Sequence, residues 1–577
     1  MTAQSFEARL QAPLRSPCAA ARENSSLWER PLTNADLSRR SVISAAGGLI
    51  AAPAVLRAAE SQPEFVLTQS ALGQLRGVRV GGVDVYKGIA YGSDVSGVRR
   101  FVPSAPATPW RGVRDALKFG PPSIQPPGGT YGAGEPTPDE NCLFLNVWTP
   151  AGSSDARRPV MVYAHGGGFS SGSGGAASQD GSRLARDHDV VVVTVNHRLG
   201  LLGFLYLAEL GGGTYDRSGN QGLWDLRLAL KWVRDNITAF GGDPDNVMLF
   251  GASGGGAKTA CLYAMPSAAP LFAKAAIQSG PAVRIGTAET AAQTTRLVLK
   301  AMGLEPWQWR KLLEVPAAAI LKAQQTLAAQ HPLTPGGWRG IADFGPGRFG
   351  PILDAELLPR HPFDPSAPPS ARDKPLITGW LDREAAYFAW DMGRPADFSL
   401  DEAGLVQRLD FFLGKAAQPV LAAYRRDRPG ASPSDLYFAI LSADTIGVAT
   451  QLTAERKAAQ NAAPVYYYNI AYRSNYVLPG VGVEAGAMHA IDIPLVFDNA
   501  AEGAPLLGDR PDRIDAARHM SQFWTSFAHT GRPAADGQPA WRPYTQADRA
   551  TMVIDAACDL VVDRNQVERL AWARARQ

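Results

Sequence analysis

The sequence predicts an α/β protein: a mostly parallel central sheet with helices on both faces, folded as one large domain with long insertions. Three observations carry this. Short apolar runs rich in β-branched residues stop at turn residues, the pattern of strands buried on both faces. A strongly periodic helix separates two of these runs. Two of the runs end in glycine-rich loops, where function concentrates when a rigid sheet holds the loop.

The first informative segment is at the N-terminus. Residues 38–44 read Ser-Arg-Arg-Ser-Val-Ile-Ser, an Ala- and Gly-rich apolar stretch runs from Val42 to Leu56, and Arg57-Ala58-Ala59 follows. Paired arginines, a short apolar segment and small residues at its end are expected of a twin-arginine export signal over residues 1–59, cleaved near Ala58 or Ala59. The segment is too short for an ordinary membrane-spanning helix. The mature chain, 60–577, is therefore expected to be periplasmic or secreted, with no stable membrane span.

From Phe65 onward strand-like and helix-like stretches alternate. Val160 to Ala164, Val190 to Val195 and Val247 to Phe250 are the clearest strands. Between the second and third, Leu223, Leu226, Leu230, Val233 and Ile237 recur at steps of three and four and share one helix face. No linker-like segment divides residues 65–575. Hydrophobic residues make up 45% of the chain and charged residues 19%, as in an ordinary globular protein. A net charge of +3 on 577 residues gives no reason to expect a nucleic-acid partner. The cysteines, Cys18, Cys142, Cys261 and Cys558, lie far apart and form neither a zinc pattern nor a disulfide framework, so no metal is expected.

Gly251-Ala-Ser253-Gly-Gly255 is a GxSxG that follows the Val247–Phe250 strand and opens a predicted helix. That context is a nucleophile elbow: the turn is so tight that its flanking residues must be glycine, and it holds the serine hydroxyl at the top of the sheet. The helix N-terminus behind it presents amide N–H groups to a developing negative charge. A competing phosphate-loop reading places Lys258 and Thr259 in register with GxxxxGK[ST], but Ala252 and Ala257 stand where that loop needs glycine. Gly172-Ser-Gly174-Gly-Ala-Ala177 fits GxGxx[GA], several residues beyond its strand and in a Gly/Ser-rich loop, and is weaker still.

His165-Gly166-Gly167-Gly168-Phe169 follows the Val160–Ala164 strand. Consecutive glycines let neighbouring N–H groups point at one oxygen, as in an oxyanion hole, with the N–H of Gly254 as the further donor.

With both loops in this order, the chain resembles the type-B carboxylesterase family, its bacterial branch included, from about Phe65 to near the C-terminus. Glu140-Asn-Cys-Leu-Phe-Leu-Asn-Val147, Asn196-His-Arg-Leu-Gly200, Gly219 to Asp225, Asn236 to Pro244, Ala276 to Gly280 and Phe523 to Ala528 are similar to its ordered motifs. The resemblance implies an α/β-hydrolase fold and a cofactor-free serine hydrolase acting on small-molecule carboxylic esters. It also implies the remaining site residues. Glu384, in Gly379-Trp-Leu-Asp-Arg-Glu384, matches the family's acid, with Asp382 as runner-up. His489, in Gly486-Ala-Met-His489, matches its base. Gly167 and Gly168, with Gly254, carry over as oxyanion donors, and Ser279 as a partner of the acid. His188, His197, His331, His361, His519 and His529 lack the base's context and are expected to be structural or surface residues.

Departures from the family pattern limit what is inherited. Ala252 and Gly254 flank the serine where the family usually has Glu and Ala. Ser123 stands where the disulfide partner of Cys142 would be, and Gly132 where cholinesterases carry a cation-binding Trp. A choline ester is therefore not expected. The same triad can also cleave amides, carbamates or lactones. A non-catalytic binding or adhesion module of the same fold is the alternative from another class, and the presence of Ser253, Glu384 and His489 together argues against it.

Overall fold

The computed structural model describes residues 63–126, 135–152, 155–331, 337–501 and 505–576. The segment expected to be an export signal, Cys18 and Gly132 lie outside these residues.

The strands, in chain order, are β1 (Glu64–Gln69), β2 (Gln74–Val80), β3 (Val83–Ala90), β4 (Val113–Asp115), β5 (Phe144–Pro150), β6 (Arg158–Ala164), β7 (Val191–Val195), β8 (Gly242–Ala252), β9 (Lys274–Gln278), β10 (Leu376–Leu381), β11 (Val465–Ile470), β12 (Ser474–Val477), β13 (Glu484–Gly486), β14 (Ala550–Ile554) and β15 (Asp559–Val562). All but β12 and β13 form one 13-stranded sheet in the order β1-β2-β3-β5-β7-β6-β8-β9-β10-β11-β14-β15, with β4 on β2. From β7 through β14 the pairing is parallel; β1, β2, β3 and β5 at one end, and β15 at the other, are antiparallel. The expected α/β-hydrolase fold is therefore present.

The central strands are covered on both faces, which is why their sequences are unbroken apolar runs. All five residues of β7 and of β9 are buried. The helix Gln221–Asn236 realises the predicted periodic face: Leu223, Leu226, Leu230, Val233 and the following Ile237 are each at most 3% exposed. One apolar cluster runs from Leu75 to Trp572. A second includes Phe101, Leu201, Trp309 and Leu327.

Several motif residues fasten one segment to another. Arg198 makes a two-pronged ion pair with Asp225 through Nη2 at 2.7 Å and Nε at 2.8 Å, with side-chain exposures of 3% and 0%. Its backbone N–H also donates to Asp225, so the chain leaving β7 is pinned to the helix Gln221–Asn236. Arg100 does the same for Glu140, through Nε at 2.6 Å. Cys142 is buried and unpaired with Ser123 beside it, and Cys261 and Cys558 are also free. Among the described residues no helix is long and apolar enough to cross a membrane, and no group of three or more His, Cys, Asp or Glu side chains is placed to hold a metal ion.

Candidate active site

The site is assembled where β6, β8, β9 and β10 end. β8 runs through Ala252 and the helix Gly254–Ala264 begins two residues on, leaving Ser253 alone at the turn. Its backbone, at φ 58° and ψ −127°, is in a region that side chains with a Cβ rarely occupy. The strain is held by the surroundings. The Ser253 N–H donates to the Gln278 carbonyl at 2.8 Å, and a Cβ on Gly280 would lie 2.2 Å from the Ser253 carbonyl oxygen. Ser253 itself is half-buried.

The loop after β6 lies against this turn. A Cβ on Gly166 would be 3.7 Å from that of Ser253, and a Cβ on Gly254 would be 2.2 Å from the Gly168 carbonyl oxygen. Only glycine at 254 permits this approach. Gly167 and Gly168 have φ of 82° and 62°, which turns the loop back on itself, and the Gly167 carbonyl accepts from the N–H groups of Ser170 and Ser171. Gly254 is the first residue of its helix, so its N–H has no intrahelical acceptor. Three expected oxyanion donors thus stand on two adjoining backbone segments.

Glu384 and His489 come from different segments. Glu384 opens the helix Glu384–Asp391 just after β10, and His489 follows β13. His489 Nδ1 hydrogen-bonds Glu384 Oε2, and Glu384 Oε1 accepts from the Leu381 N–H at 2.9 Å. The Phe388 and Tyr387 rings lie against the imidazole, with centroids 4.8 and 5.6 Å away. Burial alone would push the imidazole's pKa down. The carboxylates of Glu384, through charge and hydrogen bond, and of Asp492 outweigh it, so the pKa rises above the ordinary 6.5.

Asp492 was not singled out from the sequence as a site residue. Its side chain is fully buried, Oδ2 accepts from Gln278 Nε2 at 2.9 Å, and Oδ1 has no partner. Burial first and the Glu384 charge second raise its pKa to about 6, against the opposing pull of His489 and Gln278. Gln278 in turn joins the two halves of the site, because its carbonyl holds the Ser253 N–H while its side chain bonds Asp492 and accepts from Trp524 Nε1. Gln278 lies in the Ala276–Gly280 motif and Asp492 just after His489, but the side-chain bond between them joins residues 214 positions apart and is not legible locally.

Two expectations are corrected. Ser279 does not hydrogen-bond the acid: its Oγ is buried and has no hydrogen-bond partner. The runner-up Asp382 is not beside the imidazole, since its Oδ2 is engaged by Arg564 Nη2 at 2.8 Å. The phosphate-loop alternative also fails, because the Lys258 side chain is buried and Nζ donates to the His165 carbonyl at 2.9 Å. The second glycine-rich match is pinned as structure, with the Gly174 N–H on Asn196 Oδ1 at 2.7 Å. His188 and His529 bond to each other's segments, and His197 stacks on His165 with centroids 4.7 Å apart.

Residues 62–570 match the model of the Carboxylesterase family. The chain is 34% identical over 520 residues to the para-nitrobenzyl esterase of Bacillus subtilis (strain 168), spanning 88% of this chain and 98% of that relative. It is 32% identical over 508 residues to the phenmedipham hydrolase of Pseudarthrobacter oxydans, spanning 85% and 94%. Among solved structures it is similar to the carboxylesterase EST55 of Geobacillus stearothermophilus at pH 6.2, with a TM-score of 0.75 at 35% identity, covering 88% of this chain and 99% of that one.

Proposed function

The chain belongs to the carboxylesterase family and is a serine hydrolase of carboxylic esters, and from that premise we propose that Ser253 is its nucleophile, His489 its general base and Glu384 the acid that orients the base. His489 Nε2 takes the Ser253 proton as Oγ attacks the ester carbonyl. The tetrahedral oxyanion is held by the N–H groups of Gly167, Gly168 and Gly254. His489 then passes its proton to the departing alcohol, which leaves an acyl-enzyme. Water, deprotonated by the same imidazole, releases the acid and restores the serine.

The observation that carries the assignment is the buried His489–Glu384 hydrogen bond, in a site whose Gln278 links Asp492 to the Ser253 turn. Glu384 bonded at Nδ1 fixes the tautomer that leaves Nε2 as the basic nitrogen. The test is hydrolysis of a short-chain p-nitrophenyl ester by the mature chain beside Ser253→Ala. Activity that disappears in the variant supports the assignment; equal rates in the two would overturn it.

The phenmedipham hydrolase relative favours carbamates as a second substrate class for the same triad. We further propose export by the twin-arginine route, on the strength of Arg39-Arg40 and the apolar stretch that follows.

A further inference from the structure

We propose that Lys258 is a positioning residue for ester hydrolysis: its buried Nζ clamps the His165–Phe169 loop against the helix Gly254–Ala264 and so fixes the oxyanion donors Gly167 and Gly168. The proposal rests on the assignment of that loop as the oxyanion hole.

Gly254, Gly255 and Lys258 are spaced by three and four residues and share one face of the helix. That face is the one the loop touches. A Cβ on Gly254 would meet Gly168, and a Cβ on Gly255 would lie 2.0 Å from the Ala164 carbonyl oxygen and 2.9 Å from that of His165. One turn further on, Lys258 reaches back along the same face. Its Nζ donates to the His165 carbonyl at 2.9 Å and lies 5.7 Å from the centre of the Phe169 ring. It therefore touches both ends of the glycine loop.

A lysine is a costly residue at such a place. Its side chain is 0% exposed, one carbonyl is its hydrogen-bond partner, and burial pushes its pKa down to about 7. The neighbouring imidazoles of His165 and His197 are held neutral by burial and by the lysine's charge, so they add no further positive charge beside it. What the amine supplies is a hydrogen bond to a loop whose glycines otherwise leave it free to move.

Two variants of the whole chain test this: Lys258→Met, which matches the shape without a donor, and Lys258→Gln, which keeps a shorter, uncharged donor. A displaced oxyanion loop loses transition-state binding and spares substrate binding, so Lys258→Met is expected to lower kcat for a p-nitrophenyl ester about 10²-fold with KM within twofold. Lys258→Gln is expected to lose less, and to bind a trifluoromethyl ketone more weakly by the same factor as its kcat falls. Lys258→Met, folded by near-UV circular dichroism, with kcat within twofold of the parent or with the loss confined to KM, overturns the proposal, as does a Lys258→Gln that loses as much as Lys258→Met. A parent protein that neither hydrolyses esters nor is labelled by a fluorophosphonate fails the underlying assignment instead.

Discussion

His489 Nδ1 and Glu384 Oε2 are hydrogen-bonded in the protein interior, with side-chain exposures of 4% and 0%. Burial penalises the charge of each group, so each depends on the other. Glu384→Gln keeps the shape and the hydrogen-bonding capacity but removes the charge that stabilises an imidazolium. It is expected to fold and to lose about 10⁴-fold in kcat, the scale for neutralising the acid of such a triad. Steady-state kinetics beside a thermal melt separates this from simple unfolding; a folded variant within tenfold of the parent would contradict it.

The base must be neutral to accept the serine proton. Because Glu384 and Asp492 together overcome the effect of burial and raise the His489 pKa above 6.5, the acidic limb of kcat/KM is expected above 6.5. Asp492→Asn removes one of the two raising charges, so the limb moves to lower pH. A pH profile of the variant that coincides with the parent's excludes this role for Asp492.

The same carboxyl links the site to stability. Its pKa rises from 3.8 to about 6 on folding, so the folded state binds the proton more tightly. The sign follows directly: stability is lost as pH rises from about 4 to 6, and the charged Asp492 destabilises the fold above that. Asp492→Asn is therefore expected to melt at the same or a higher temperature than the parent at pH 8. A lower melting temperature at pH 8 would contradict it.

Gly254 has no room for a methyl group, since its Cβ would lie 2.2 Å from the Gly168 carbonyl oxygen. Gly254→Ala must push the oxyanion loop away from the serine. The expected result is a fall in kcat of about 10–10²-fold with little change in KM, on the scale of a weakened oxyanion donor. Unchanged kcat would mean that the loop accommodates alanine without cost.

Asp225 lies outside this chemistry. Removing it leaves the guanidinium of Arg198 buried and unpaired, so Asp225→Ala is expected to destabilise the fold by about 3–5 kcal/mol. Denaturant titration measures it. A loss below about 1 kcal/mol, the range of exposed pairs, would show that the pair does not hold the segment after β7.

The parts of the site that were legible in the sequence are those built from contiguous residues. Gly251 to Gly255 is a turn whose geometry demands its own glycines, and β6, β7 and β8 are apolar runs because both their faces are covered. The helix Gln221–Asn236 announced itself by periodicity. Glu384 and His489 were reached only through resemblance to family motifs, because a triad acid and base need no local pattern. The bond between Gln278 and Asp492 escaped although Gln278 sits in a motif, because it joins segments that meet only in the fold. Ser279 shows the reverse failure, a motif residue whose buried hydroxyl makes no hydrogen bond to the acid. Lys258 was noticed for the wrong chemistry, since its spacing from Ala252 suggested a phosphate loop and only the burial of its side chain showed what it faces.

The central claim is that Ser253 carries the acyl group, and trapping that bond tests it most directly. The protein is treated with a fluorophosphonate, digested, and the modified peptide mapped by mass spectrometry. One adduct per chain, on the peptide that contains Ser253, absent in Ser253→Ala and slowed in Glu384→Gln, is the predicted result. A folded, ester-hydrolysing protein labelled at another residue, or not labelled at all, would contradict it.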